Sequence, residues 1–123
     1  MEKKTLKEML ERINKFFWFT YNVNQKEFYE EKKGYAVSIT WKEKKVKEEN
    51  FNEEVIEKYI KENEKILKKP GYYLWAWWDD GYIYLDVYII TDRKEESERI
   101  AKENKQLVYY DFKNFENINI DKE

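Results

Sequence analysis

The stretch that decides the fold is Tyr72-Tyr-Leu-Trp-Ala-Trp-Trp78, followed by Asp79-Asp80-Gly81 and then by Tyr82-Ile-Tyr-Leu-Asp-Val-Tyr-Ile-Ile90. Two runs rich in aromatic and β-branched residues on either side of an Asp-Gly pair are typical of a β-hairpin. We therefore predict two paired antiparallel strands, with the turn at the Asp-Gly pair.

The second arm of this hairpin alternates between two kinds of residue. One face would hold the aliphatic residues Ile83, Leu85, Val87 and Ile89, and the other would hold Tyr82, Tyr84, Asp86 and Tyr88. An unpaired carboxylate is costly to bury, so Asp86 indicates that the tyrosine face is exposed or half-exposed and the aliphatic face is core. In the first arm, the expected inward residues are Leu74, Ala76 and Trp78.

Apolar periodicity before the hairpin predicts two helices and two strands. Leu6, Met9, Leu10 and Ile13 have helical spacing within residues 3–15. Residues 16–23 read as a strand, with Phe17, Phe19, Tyr21 and Val23 on one face, and residues 24–34 as a loop. Tyr35–Trp41 alternates as a half-buried strand does, with Tyr35, Val37, Ile39 and Trp41 on one face. Asn52 is the expected N-cap of a second helix that Pro70-Gly71 ends.

The sequence after the hairpin predicts one helix and one strand. Asp92 is the expected cap of a third helix that runs to about Lys105, and Leu107–Phe112 is the last strand. Residues 114–123 form a tail or a short edge strand. The resulting order α-β-β-α-β-β-α-β predicts an α+β fold: a single, mostly antiparallel sheet of about five strands, with the helices mainly on one face and the aromatic side chains on the other.

Composition excludes several classes of protein. The 123 residues suit a single domain, 1–123, and an aromatic content of 19% argues against disorder. The chain has no Cys and no His, which removes thiol nucleophiles, zinc–thiolate sites and the commonest general base. No apolar run approaches the ~18 residues of a membrane span. With no signal-peptide pattern either, we expect a cytoplasmic protein without a cofactor.

Acidic residues do not form a convincing catalytic or metal-binding motif. Asp79 and Asp80 are best explained as turn residues, although with Asp86 they could attract a divalent cation. Asp92-Arg-Lys94 imitates a nuclease motif, but 26 acidic residues and abundant lysine produce that spacing by chance. We therefore expect no enzyme, and a carboxylate-dependent, metal-assisted hydrolase is the weakest alternative.

The surplus of aromatic residues on the hairpin is the main functional signal. The candidate partner-binding residues are Tyr73, Trp75, Trp77, Asp79, Asp80, Tyr82, Tyr84, Asp86 and Tyr88. Tyr and Trp are typical anchors of protein interfaces, and the same surface could stack unpaired bases of a single-stranded nucleic acid or a nucleotide. Between Gly71 and Thr91 there is no Lys or Arg, and the net charge is −2, so a protein partner is favoured and duplex DNA is disfavoured. An aromatic face could also close a homodimer.

Short motifs across most of the chain resemble small proteins carried by phages and other mobile elements. They are Pro70-Gly-Tyr-Tyr-Leu74, Trp77-Trp-Asp79, Tyr84-Leu-Asp-Val87 and Asn104-Lys-Gln-Leu-Val-Tyr-Tyr-Asp111, with Phe19-Thr-Tyr21 and Gly34-Tyr-Ala-Val-Ser38 upstream. The resemblance implies the class of anti-CRISPR and other anti-defence inhibitors, which occlude a nuclease complex. We therefore expect a non-enzymatic protein-binding module whose partner is a CRISPR effector or another defence nuclease.

Overall fold

Twelve helices and strands make up the computed structural model, which describes residues 1–30, 33–39, 42–106 and 108–120. In chain order they are α1 (Lys3–Phe16), β1 (Trp18–Asn22), β2 (Glu27–Phe28), β3 (Tyr35–Ser38), β4 (Lys44–Lys47), α2 (Glu53–Glu62), α3 (Glu64–Leu67), β5 (Tyr72–Asp79), β6 (Tyr82–Thr91), α4 (Lys94–Glu103), β7 (Val108–Asp111) and β8 (Glu116–Asn119). A 3₁₀ turn, Glu48–Asn50, precedes α2. The fold class is therefore α+β.

The predicted hairpin forms the centre of one antiparallel sheet. β5 pairs along its whole length with β6, from Tyr72 opposite Ile89 to Asp79 opposite Tyr82. Asp80 and Gly81 have φ of 47° and 81°, the two left-handed conformations that a tight hairpin turn requires. The strand order is β2-β1-β5-β6-β3-β7-β8, and β4 pairs with the part of β6 that β3 leaves free.

The aliphatic face of the hairpin packs against the helices. Leu74, Ala76, Leu85 and Val87 are fully buried there with residues of α1 and α2, such as Met9 and Ile56. A second cluster places α4 over β3 and β7, where Ile100 and Ala101 meet Val37 and Tyr109. The predicted assignment of the aliphatic face to the core is therefore confirmed.

The prediction of about five strands is wrong, because eight are present in the described residues. β2 lies inside the segment predicted as a loop, and β8 lies in the C-terminal segment. β4 has the sequence Lys-Lys-Val-Lys, in which only Val46 is buried, so its alternation carries a single apolar residue. Short polar strands of this kind have no hydrophobic signal of their own, since their pairing is dictated by the neighbouring strand.

Several local boundaries also differ from expectation. The second helix divides at Asn63, whose side-chain Nδ2 donates to the Tyr59 carbonyl at 2.9 Å. The N-cap of α4 is Arg93 rather than Asp92, and its side chain makes no capping hydrogen bond. Phe17 is the left-handed C-cap of α1 and is not part of β1. The predicted strand residue Trp41 and the predicted strand start Leu107 lie outside the described residues.

The cap of α2 provides a test of the fold. The Val55 N–H donates to Asn52 Oδ1 at 3.0 Å, as predicted. We expect Asn52→Ala to lower the free energy of unfolding by about 1 kcal/mol, measured by urea denaturation. The neighbouring exposed Asn50 caps no helix, so Asn50→Ala is the matched control and should change stability much less. Equal effects of the two substitutions would contradict the cap's contribution.

Candidate functional site: an aromatic groove

The face of the sheet opposite the helices carries a row of aromatic side chains. Trp18 of β1 lies directly opposite Trp77 of β5, which lies opposite Tyr84 of β6, which in turn lies opposite Lys45 of β4. Trp77 and Tyr84 stack with their ring centroids 5.2 Å apart and 11° between their planes. The Lys45 ammonium lies 4.1 Å from the ring centroid of Tyr82. One end of this face therefore already holds a cation over a ring.

Trp75 occupies the centre of this face. Its directly opposite neighbours are short polar residues, Thr20 on β1 and Asp86 on β6, so large rings from adjacent rows can close over it. Its ring centroid lies 4.4 Å from that of Tyr88 and 5.3 Å from that of Phe112, with which it stacks at 14°. These contacts leave only 9% of Trp75 exposed. The centre of the aromatic face is thus a second, ring-built core.

Around this centre the sheet forms a groove of about 710 Å³, within the size range of ligand sites. We call it the aromatic groove, and its walls come from residues that are distant in the chain. The residues that line it are Arg12, Phe17, Trp18, Tyr29, Glu30, Trp75, Trp77, Trp78, Tyr88, Tyr110, Phe112, Phe115 and Asn117. Because residues around β1 and residues around β8 line the same space, this face of the sheet is concave.

Two phenylalanines at the rim have unusual backbone conformations. Phe17 has φ 71° and Phe115 has φ 53°, in the left-handed region that favours glycine. Their side chains are nonetheless 57% and 63% exposed. Neither the backbone nor solvation favours a phenyl ring at these positions, and both rings border the aromatic groove. Two exposed phenyl rings, each on a strained left-handed backbone, therefore lie at one site.

Among the described residues that line the groove, the positive and negative charges balance. The cation is Arg12, and the anion is Glu30. The Arg12 guanidinium binds Glu30 Oε1 at 2.8 Å and Glu8 Oε2 at 3.5 Å, and it lies 3.8 Å from the ring centroid of Phe28. Arg12 is therefore already neutralised by two carboxylates, so the positive charge in the described part of the lining is compensated and does not favour a phosphate.

Asp86 is fully buried, which corrects its expected position on an exposed surface. The antiparallel partner of β6 changes from β3 to β4 near this residue, and the Val87 carbonyl accepts from Ile39 N–H at 3.0 Å. The Val87 N–H points to the same side and donates to Asp86 Oδ1 at 2.8 Å. Ser38 Oγ donates to the other carboxylate oxygen. Asp86 thus supplies a hydrogen-bond acceptor to the Val87 N–H at the point where the partner of β6 changes from β3 to β4.

Burial raises the pKa of Asp86 to about 7, although the hydrogen bonds from Ser38 and Val87 oppose the shift. The negative charge of Glu43 adds to the increase. Burial, followed by the charge of Asp86, also raises the pKa of the neighbouring Tyr88 phenol. The carboxylate is therefore a structural group beneath the rings and is unavailable for direct contact with a partner.

The other predicted site residues occupy four different environments. Trp75, Trp77 and Tyr88 line the aromatic groove. Tyr73 packs against Tyr29 with 5.3 Å between ring centroids. The remaining four residues lie away from the groove lining, with Tyr82 and Tyr84 beside Lys45 and with Asp79 and Asp80 exposed at the hairpin turn.

Sequence reasoning missed much of the groove. Trp78 lies opposite Ile83, on the aliphatic face as expected, but it is not buried. At the end of β5 it is 36% exposed, with its ring centroid 5.6 Å from that of Phe17. Tyr110 and Phe112 share a face by their spacing of two, which is a visible signal. Their placement against Trp75 depends on the strand order, which the sequence pattern does not contain.

Within the described residues, no group of three acidic side chains is arranged to hold a metal ion. None of the helices in those residues has the length and apolar run that a membrane crossing requires. Comparisons with protein-family models, with curated protein sequences and with solved structures found no match. The groove's own geometry is therefore the basis for a functional proposal.

The raised pKa of Asp86 gives a pH-dependent prediction. The folded protein holds this proton more tightly than the unfolded chain, so the contribution of Asp86 to stability is full below pH 4 and is lost as the pH rises through about 7. We expect Asp86→Asn to reduce the loss of stability between pH 5 and pH 8, measured by urea denaturation at each pH. Asp79→Asn, at the exposed turn, is the control and should leave that loss unchanged. A parallel pH profile for wild type and Asp86→Asn would contradict the prediction.

Proposed function

We propose that the protein is a non-enzymatic binding module whose aromatic groove takes an apolar segment of a protein partner. The observation that carries the proposal is the pair of strained, exposed rings at the groove rim, Phe17 and Phe115. Exposed apolar surface concentrated at one place marks an interaction site more reliably than scattered exposed residues do. Fully burying a phenyl ring stabilises by on the order of 2 kcal/mol. A partner that covers both rings therefore gains a binding free energy from apolar burial that is absent in the isolated protein.

The distribution of exposed apolar side chains supports the same site. In the described residues, six large hydrophobic side chains are exposed. Four of them border the aromatic groove: Phe17, Trp18, Trp78 and Phe115. Trp75, at the centre, is nearly dehydrated already. The exposed rings around this centre are of the residue types, Trp and Phe, that are enriched in protein interfaces.

Charge favours a protein over a single-stranded nucleic acid. Stacking on Trp77 or Trp18 would suit a base, but nucleic-acid binders pair such platforms with a basic track for the backbone. Here Arg12 is held by Glu8 and Glu30, and the Lys45 ammonium lies over the Tyr82 ring. The hairpin turn, away from the groove lining, carries Asp79 and Asp80. An apolar segment flanked by basic residues complements this surface better than a phosphate backbone does.

The resemblance to mobile-element proteins gives the proposed partner its class. An inhibitor that occludes a CRISPR effector or another defence nuclease acts through binding alone, so it needs no catalytic group. A rigid aromatic surface on a small fold is suited to that task. This assignment is an analogy at the level of protein class, and the groove's chemistry is its physical support.

The binding proposal is tested with adjacent phenylalanines. Phe16 and Phe17 are 54% and 57% exposed, but only Phe17 borders the groove. We expect Phe17→Gly and Trp18→Ala to lose the proteins that the wild type captures from a lysate of its host, as identified by mass spectrometry, whereas Phe16→Ala retains them. Capture that is equal for all variants would overturn the groove as the binding surface. Salt-sensitive binding of a fluorescent oligothymidine instead would favour the nucleic-acid alternative.

The proposed partner class has its own test. The wild-type gene, expressed in cells that carry a CRISPR system, should restore transformation by a targeted plasmid for at least one system in a panel. Trp18→Ala should fail to restore it at equal protein levels, and Phe16→Ala should restore it as the wild type does. If the wild type restores none, the defence-nuclease assignment is wrong, while the groove remains open to another protein.

The strained rim predicts opposite effects on stability and binding. Phe115→Gly replaces an exposed ring at φ 53° with the residue that this backbone favours, so we expect a gain of about 1 kcal/mol in unfolding free energy together with weaker partner binding. Differential scanning calorimetry and the capture assay give the two readouts. A destabilised Phe115→Gly protein would show that the ring supports the fold, contrary to the proposal.

A further inference from the structure

The free edges of the sheet differ in how well they are protected. β2 has only two residues, and β4 carries three lysines in four positions. Short length and lysine are the usual means by which proteins prevent an edge strand from pairing with another chain. β8 has four residues, Glu116–Asn119, with no Lys and no Pro, and within the described chain it pairs only with β7. Among the edges that the described residues form, β8 is longer than β2 and lacks the lysines of β4, so it is the least protected.

Backbone geometry identifies which groups of β8 are free. The Phe112 N–H donates to the Gly34 carbonyl at 3.0 Å, so Phe112 and Tyr110 direct their backbone polar groups toward β3. The backbone N–H and C=O groups of Tyr109 and Asp111 consequently point to β8, where these residues lie opposite Ile118 and Glu116. By alternation, the N–H and C=O groups of Asn117 and Asn119 point away from β7, to the open edge.

The open edge is continuous with the aromatic groove. Asn117 lines the groove, and Phe115, just before β8, is its most exposed ring. Directly opposite residues of an antiparallel pair lie on the same face of a sheet, so a strand added to β8 would place its residues opposite Asn117 and Asn119 toward the groove. Those residues would also be the ones that exchange backbone hydrogen bonds with β8.

We infer that the partner binds by strand addition: an extended segment pairs antiparallel with β8 and directs large apolar side chains, at alternate positions, into the aromatic groove. The inference rests on the proposed function of the groove and adds the conformation and side-chain pattern of the partner. Backbone pairing supplies affinity, and the aromatic groove supplies specificity. Glu116 is the charged residue of β8 and is exposed, which suits a segment with basic flanks.

A second copy of this chain is the competing occupant of the edge. Stable interfaces bury roughly 1,200–2,000 Å² in total, and a four-residue strand paired with itself supplies only a fraction of that area. A segment that pairs with β8 and also fills the 710 Å³ groove gains both contributions at once. The area therefore favours a partner segment over self-association.

A synthetic peptide, Lys-Phe-Thr-Trp-Thr-Phe-Lys, tests the inference because its aromatic residues alternate. We expect saturable binding by titration calorimetry, and a shuffled peptide, Phe-Phe-Trp-Lys-Thr-Thr-Lys, should bind at least about tenfold more weakly. N-methylation at the peptide's Trp removes a pairing N–H and should weaken binding by about tenfold, while N-methylation at a Thr, whose N–H points away, should have little effect. No saturable binding, or equal binding of the shuffled peptide, would overturn the inference.

Matched variants on the protein separate the edge from the groove. Asn119→Pro removes an outward N–H without breaking the ladder to β7, and Asn119→Ala removes only the side chain. We expect about a tenfold loss for Asn119→Pro alone, with cooperative melting of both variants. In the wild type, hydrogen exchange at Asn117 and Asn119 should slow when the peptide binds, which reports the same pairing without any substitution.

The outcomes distinguish this inference from the proposed function. If Trp18→Ala loses peptide binding while Asn119→Pro and the exchange rates are unchanged, the groove binds its partner and strand addition is overturned. If Asn119→Pro loses binding while Trp18→Ala does not, the groove function is overturned. A wild-type dimer by light scattering that Asn119→Pro converts to a monomer would assign the edge to a second copy and overturn the partner segment.

Discussion

The register between β5 and β6 is the constraint on which the rest of the structure depends. It places Ala76 opposite Leu85 on the helix side and Trp77 opposite Tyr84 on the groove side. A slip of one residue in either strand would exchange its two faces, exposing an aliphatic row and placing rings under α1 and α2. The left-handed pair at Asp80 and Gly81 closes the turn in the conformation that matches this register. The helical core and the aromatic groove are therefore two consequences of one pairing.

On the groove face, the side chains at the centre are buried and those at the rim are exposed to solvent. Ala36 is fully buried with Trp75 and Phe112, because its small side chain lets the rings close over β3. Toward the rim, Phe17 and Phe115 are more than half exposed and have left-handed backbones. Packing alone accounts for the centre, since rings bury one another as in any core. It does not account for the rim, which is why the rim carries the functional argument.

Local alternation was enough to assign the two faces of the hairpin and the fold class, but the reasoning at Asp86 was wrong. The rule against burying a carboxylate placed the tyrosine face correctly, yet Asp86 itself is buried. It accepts from the Val87 N–H at the point where the partner of β6 changes from β3 to β4. Such an exchange depends on strand order, which alternation does not contain. For the same reason Phe112 and Phe115 could not be joined to Trp75 from sequence, and the lysine-rich β4 could not be recognised.

The polar layer beneath the rings bears directly on how the groove binds. Thr20 and Asp86 are both buried on either side of Trp75, and Asp86 is fixed by hydrogen bonds from Ser38 and Val87. Asp86 is therefore held in place before any partner arrives, and aromatic side chains have few rotatable bonds to restrict on binding. Ordering side chains is a principal cost of association, at about 0.5–1.5 kcal/mol for each flexible one immobilised. A groove with a preordered floor and exposed rings at its rim avoids most of that cost, so the free energy from covering Phe17 and Phe115 remains available for affinity.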